Sequence, residues 1–248
     1  MRNRQLAIAT LLSLALFSAC GQSPEQARRE LGELGIPYTP EGLQQAVVNK
    51  DKLAIDLFLL AGMNPSTALP EIVLQEDLET ASKFLDNKAD PNYGGGVPLL
   101  HAASEGNLEM AKLLLNKGAE PNVRANPYGF YTQSPLEAAA GKGHHEMVKL
   151  LLERGANSND LDGKNSLALL KAIREDYIDV VKILLEKGAN PNSVESEVNP
   201  FLGRLLQITA FEEAEDKPQI LALLKQYSSK SLPQTQTENN TSSHTPSQ

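Results

Sequence analysis

Apolar residues recur along this chain at a constant offset from a short closing motif. Five segments end alike: Ala61-Gly-Met-Asn-Pro65, Asn87-Lys-Ala-Asp-Pro-Asn92, Lys117-Gly-Ala-Glu-Pro-Asn122, Arg154-Gly-Ala-Asn-Ser-Asn159 and Lys187-Gly-Ala-Asn-Pro-Asn192. Counting back 22 residues from each Pro, or from Ser158, reaches Leu43, Leu69, Leu99, Leu136 and Leu169. Three residues after each leucine stand Ala46, Ile72, Ala102, Ala139 and Ala172, and one further on Val47, Val73, Ala103, Ala140 and Ile173. Fifteen residues after each leucine come Phe58, Phe84, Leu114, Leu151 and Leu184. All the variation lies in the steps from closing Pro or Ser to the next leucine, which are 4, 8, 15 and 11 residues. Packed elements lose register when their length changes, whereas surface loops absorb insertions. The pattern therefore predicts units of constant core joined by loops of variable length.

Each 22-residue core reads as two short helices. An apolar residue at i with small or apolar partners at i+3 and i+4 marks one helical face. Apolar triplets such as Leu113–Leu115, Leu150–Leu152 and Ile183–Leu185 belong to the buried face of the second helix. Gly62, Gly118, Gly155 and Gly188 stand where a left-handed helix end favours glycine, and after all but Gly155 a Pro three residues later blocks continuation. Lys88 replaces that glycine in the second unit, where Thr67-Ala-Leu-Pro70 makes an irregular start and the four-residue step leaves no room for a finger. Ser134-Pro135 and Asn199-Pro200 look like a helix cap followed by a first helical residue. Ser23-Pro24-Glu25-Gln26 has the form of a capping box. With Ala27, Leu31 and Leu34 on one stripe, it predicts a helix over 24–34 covering the first unit.

These marks resemble the ankyrin repeat, whose period is about 33 residues around a T-P-L-H-x-A core. Ser134-Pro-Leu-Glu-Ala-Ala-Ala140, followed by Gly143-His-His-Glu-Met-Val-Lys-Leu-Leu-Leu152 and Gly155-Ala-Asn157, carries the resemblance most closely. Val97-Pro-Leu-Leu-His-Ala-Ala103 with Gly106-Asn-Leu-Glu109 is similar. The resemblance implies an all-α solenoid of helix-turn-helix units with hairpin fingers and atypical capping ends. Repeats are expected at about 41–65, 66–91, 92–121, 122–158 and 159–191. A degenerate cap follows over 192–227, with its second helix near Ile220–Tyr227, so the repeat domain spans 24–227. Residues 228–248 read as a disordered tail, since 17 of the 21 are Ser, Thr, Gln, Asn or Pro and cannot bury enough apolar surface to order themselves.

The start of the chain follows another plan. Arg2 and Arg4 precede an apolar or small run, Leu6–Ala19, and acidic residues are absent until Glu25. A basic start, a short apolar run and small residues at a cut site form a secretory signal. Fourteen helical residues reach about 21 Å, less than a bilayer core. Leu16-Phe-Ser-Ala-Cys20 resembles the lipobox of bacterial lipoproteins. That resemblance implies a signal peptide over 1–19, a lipid-modified Cys20, a short linker over 20–23 and membrane attachment through the acyl chains. Gly21, standing where inner-membrane-retained lipoproteins typically carry Asp, implies the outer membrane, facing the periplasm.

Composition narrows the remaining chemistry. Cys20 is the single cysteine, so an internal disulfide and a Cys-rich zinc site are excluded. The formal net charge is −8 and becomes −10 once the two signal arginines are removed. An acidic balance argues against nucleic acid as a partner. The adjacent pair His144-His145 does not share one helix face, and His144 takes the Gly-His position of the ankyrin pattern. Asp160-Leu-Asp162-Gly163 fails as a calcium loop, because Leu169 falls where the bidentate Glu is required. Glu212–Asp216 reads as a solvated acidic face. No phosphate-binding loop, nucleophile elbow or metalloprotease motif is present, so neither a cofactor nor a metal nor an enzymatic activity is expected.

The longest of the four steps contains Asn126-Pro-Tyr-Gly-Phe-Tyr-Thr-Gln133. Tyr128, Phe130 and Tyr131, with Tyr93 in the preceding finger, are candidate partner-binding residues, because buried aromatics dominate binding energies. The same rings would equally serve by packing back to hold the finger. Ankyrin proteins are mostly non-catalytic binders, so the resemblance implies a protein partner bound through fingers and concave face. A ligand-binding or enzymatic groove and a spacer without a dedicated partner are the two other readings.

Overall fold

The computed structural model describes residues 23–125, 132–159, 166–198 and 205–231. The signal segment with Cys20, the finger residues 126–131, the Asp160–Gly163 loop, Asn199-Pro200 and the tail beyond 231 lie outside these residues. The chain forms two compact units, Met1–Ser158 and Asn159–Gln248.

In the first unit, helix α1 (Pro24–Glu33) precedes paired helices: α2 (Pro40–Val48) with α3 (Lys52–Leu60), α4 (Leu69–Leu74) with α5 (Leu78–Asp86), α6 (Tyr93–Glu105) with α7 (Leu108–Asn116), and α8 (Pro135–Gly141) with α9 (His145–Glu153). First helices stack on first helices, α2 on α4, α4 on α6 and α6 on α8, while the second helices form a row of their own. The second unit holds α10 (Leu167–Arg174) with α11 (Ile178–Glu186), an antiparallel hairpin of β1 (Val194–Val198) and β2 (Leu205–Thr209), and then α12 (Ala210–Glu213) with α13 (Pro218–Ser231). The fold is an all-α ankyrin solenoid apart from that hairpin.

All five periodic leucines are buried, as are the positions three, four and fifteen residues beyond them. Small residues at the third and fourth positions let neighbouring first helices approach closely, and the large side chains at the fifteenth fill the space between the helix rows. Each helix of the first two pairs is only 6–9 residues long, so these helices owe their stability to this packing rather than to propensity. Most are capped: Thr39, Asp51, Asp77, Asn107, Ser134 and Ser166 each accept a backbone N–H of the first turn on a side-chain oxygen. Ser23 caps α1 by accepting from Gln26 N, while the Gln26 amide turns forward to donate to Glu30 instead of closing the box.

The second unit departs from the sequence expectation in three ways. First, its last described helix pair begins at Ala210, after a β-hairpin that the sequence did not predict: Thr209 Oγ1 accepts from Glu212 N, and the Glu212 carboxylate accepts from Thr209 N and Oγ1. This reciprocal box starts the helix directly after the pairing of β1 with β2. Second, α13 runs to Ser231, four residues into the expected tail. Third, Glu213 is not part of a solvated acidic face. With Glu195 it clasps Arg174, at 3.0 and 2.8 Å. Burial works against the Arg174 charge, but those hydrogen bonds outweigh it and hold the guanidinium more firmly protonated than usual.

Candidate partner-binding surface

The closing motif does more than end a helix. Asn92 Nδ2 donates to Gly118 O (3.1 Å), and its Oδ1 accepts from Glu120 N (2.8 Å). Asn122 repeats both bonds with Gly155 O and Asn157 N, and Asn159 repeats them with Gly188 O and Asn190 N. One primary amide thus bridges each finger base to the next, offering a donor and an acceptor at the spacing of two backbone groups. Ser66 stands at the Asn position of the first unit and makes half of the link, accepting from Asp90 N at 2.8 Å. The ladder continues to Asn192, where Ser228 of α13 donates to Oδ1 at 3.5 Å.

Tyr93 follows the first full rung and is 36% exposed. After it, Gly94, Gly95 and Gly96 have φ of 66°, 75° and 96°. Three successive left-handed residues are an arrangement that side chains with a Cβ strongly resist. At Gly96 a Cβ would also collide with Val123 of the next finger. The glycine run turns the chain sharply into Val97-Pro98, where the true helix begins.

The long finger springs from a built base. Ala125 and Gln133 exchange backbone hydrogen bonds of 3.0 and 2.9 Å, and Ala125 is buried with Leu100 and Ala138. Arg124 pairs with Glu137 and donates to Thr132 O (3.2 Å) and Oγ1 (3.4 Å). The Glu137 side chain is only 6% exposed. It occupies the His place of the T-P-L-H pattern and accepts from Ser134 Oγ as well. Of the four sequence-derived binding residues, Tyr93 is placed at a finger base. Tyr128, Phe130 and Tyr131 lie outside the described residues, as does Cys20.

His144 is a packing residue. It precedes α9, its Nε2 lies 2.9 Å from Ser104 O, and its ring fills the space over Gly106. Among the described residues no group of three His, Cys, Asp or Glu is placed to hold a metal, and no helix is long and apolar enough to cross a membrane.

Two features escaped the sequence reading. Val48 and Leu74, which follow the repeat leucine by five residues in adjacent units, are 52% and 47% exposed. Their place is polar or small in the following units, at Ser104 and Gly141, so these are apolar exceptions on the first-helix face. On that face His101 is half-buried. Burial lowers its pKa below the usual histidine value, against the opposing pull of Glu105 and Glu71. A position-by-position comparison of the units would have found the apolar pair. The histidine needed the third dimension, because Glu71 belongs to another repeat.

Comparison with known proteins agrees with this architecture. A family model described as ankyrin repeats (3 copies) matches residues 43–125 and 126–195, and one described as ankyrin repeats (many copies) matches residues 99–152. No curated protein matches the chain. With its leucine-spaced helix pairs and amide-bridged fingers matched by these models over more than half its length, the chain belongs to the ankyrin-repeat family.

Proposed function

We propose that this protein is a lipid-anchored, non-catalytic envelope protein that holds a partner protein through its fingers and concave face, acting as scaffold, inhibitor or stabiliser. Ankyrin repeats are protein-interaction modules, usually without catalysis, and they point to a protein partner. The observation that carries the reading is the finger base. Amide rungs, the glycine turn and the Arg124–Glu137 pair hold the roots of the fingers rigid. Preorganised loops lose less entropy on binding and so bind more tightly. Tyr93, Tyr128, Phe130 and Tyr131 are the proposed contact residues.

The anchor rests on Cys20 in its lipobox context. Attachment there would place the repeats close to the membrane, since α1 begins at Pro24, only four residues later. Two or more acyl chains give stable attachment without a spanning helix, and Gly21 favours the outer membrane, facing the periplasm. The domain plan that accompanies this reading is signal 1–19, linker 20–23, repeats 24–227 and polar tail.

Crosslinked envelopes provide the test. Pull-down with the wild type should capture a partner that the Tyr128→Ala/Phe130→Ala/Tyr131→Ala variant captures at least tenfold less. Equal capture refutes the long finger as the contact. Cys20→Ser should leave the membrane fraction, and a variant that still fractionates like the wild type refutes the anchor.

A further inference from the structure

Among the described residues, α2 has a first-helix neighbour on one side only. From α2 onward, each first helix stacks on the first helix of the next pair, α2 on α4, α4 on α6 and α6 on α8. Helix α1, in contrast, packs on α3, a second helix. It caps the second-helix row, and no first helix among the described residues packs on the outward side of α2. A groove of about 300 Å³ runs there, along the α2 face that carries Glu41, Gln45 and Asn49. Ile36 and Pro37 of the α1–α2 turn form its wall, and Ala46 lies in its floor.

The wall is held in place. Tyr38 Oη and Arg28 Nη2 both donate to Ala61 O, at 2.9 and 3.1 Å. The Arg28 guanidinium lies 4.8 Å over the Tyr38 ring, which stacks on Phe58 at 5.9 Å. Gly42 admits the Pro37 carbonyl where any Cβ would collide with it. The groove is therefore a fixed feature of the unit rather than slack in a loop.

Its charge is one-sided. Glu41 and Asp51 line it, with the amides of Gln45 and Asn49 between them, and no Lys, Arg or His does. A groove with Ile36, Pro37 and Ala46 among its lining and two carboxylates, Glu41 and Asp51, suits an amphipathic helix that sets small apolar residues inward and cations along the rim.

We propose that this groove is a second docking site, which receives a short basic amphipathic helix of a partner protein on the side of α2 where no described first helix packs. The proposal rests on the protein-binding reading above but uses a surface remote in sequence from the long finger.

The probes are two 11-residue helical peptides with the same Ala/Leu face, one bearing Lys and the other Glu on the opposite face. Binding to the full chain is followed through the backbone amides of Gly35 and Gly42. The Lys peptide should shift both amides and bind at least tenfold more tightly than the Glu peptide. Glu41→Lys should weaken it at least tenfold, and Gln45→Trp, which fills the groove, should do the same. Equal binding of both peptides, shifts centred away from the groove, or no binding at millimolar concentration would each overturn the proposal. The long-finger triple variant should bind the Lys peptide unchanged. If that variant loses its envelope partner but keeps the peptide, the groove stands by itself; if wild type captures a partner but ignores the peptide, the groove alone falls.

Discussion

At the residue scale, single side chains carry contacts that the repeat pattern only hints at. Asn122 is exposed, yet its amide satisfies two backbone groups of the next unit. Asn122→Ala should lower stability by about 1–2 kcal/mol, the net worth of two such bonds, as read from urea denaturation. Asn122→Asp, which keeps the acceptor and loses the donor, should fall between. Equal stability of all three chains would remove the ladder as a structural device. Gly96 resists substitution for a different reason: a Cβ there meets Val123 with the backbone already left-handed. Gly96→Ala should cost about 1–3 kcal/mol from strain and contact together, and Val123→Ala in the same chain should recover the contact share. Asp77 adds a pH dependence. Burial pushes its carboxyl up, but hydrogen bonds from Thr80 Oγ1 and N, with Lys52 and Lys50 nearby, outweigh that and hold it below the usual carboxylate value. A depressed folded pKa stabilises the protein above the unfolded value of 3.8, and that share is lost as pH falls through the folded value. The difference in urea midpoint between wild type and Asp77→Asn should therefore be largest above pH 3.8 and shrink as pH falls through the lower folded value.

At the element scale, finger length is set by what happens at the root. The second unit has the shortest step, and there Pro65–Ala68 forms a single 3-10 turn that runs directly into α4. The long finger instead needs a clamp, and Arg124–Glu137 is that clamp. Arg124→Ala would deprive a nearly buried carboxylate of its guanidinium and should cost about 1–3 kcal/mol, less than a fully enclosed pair because Arg124 is partly solvated. Leu100 and Leu170 take the Glu137 place in the neighbouring units, so Arg124→Ala/Glu137→Leu should restore stability while loosening Thr132. Thermal melts measure the first effect, and amide exchange at Ala125 and Gln133 the second. The period made the finger legible. The clamp was not, because Arg124 and Glu137 belong to a loop and a helix and no spacing rule joins them.

At the scale of the whole molecule, a stack of short units is stabilised mainly through neighbours, so its ends matter most. Helix α1 buries Ala27 and Leu31 completely. Leu31→Asp, a charge in that seam, should detach the cap and lower stability by about 3 kcal/mol or more. Gel filtration should then show self-association through the uncovered α3. A variant that stays monomeric at wild-type stability would show that α1 is not a cap. The acidic balance acts at this scale too: a net charge of −8 disfavours nucleic acid without naming a partner.

The sequence by itself determined the number and register of the repeats, the two helices of each unit, the left-handed ends and the places where fingers of different length emerge. Periodic burial writes those features into residue types, since a position that faces the core in one unit faces it in all. Lys88 shows the limit of that code, adopting φ 68° where its neighbours use glycine. Only the tertiary structure decided that Thr209 caps the last described helix pair, that Glu213 pairs with Arg174, that the finger asparagines bridge consecutive units, and that no described first helix covers one side of α2. Each of these depends on groups distant in sequence that meet only when the helices stack, and the strength of a hydrogen bond or an ion pair depends on what surrounds it once they have met.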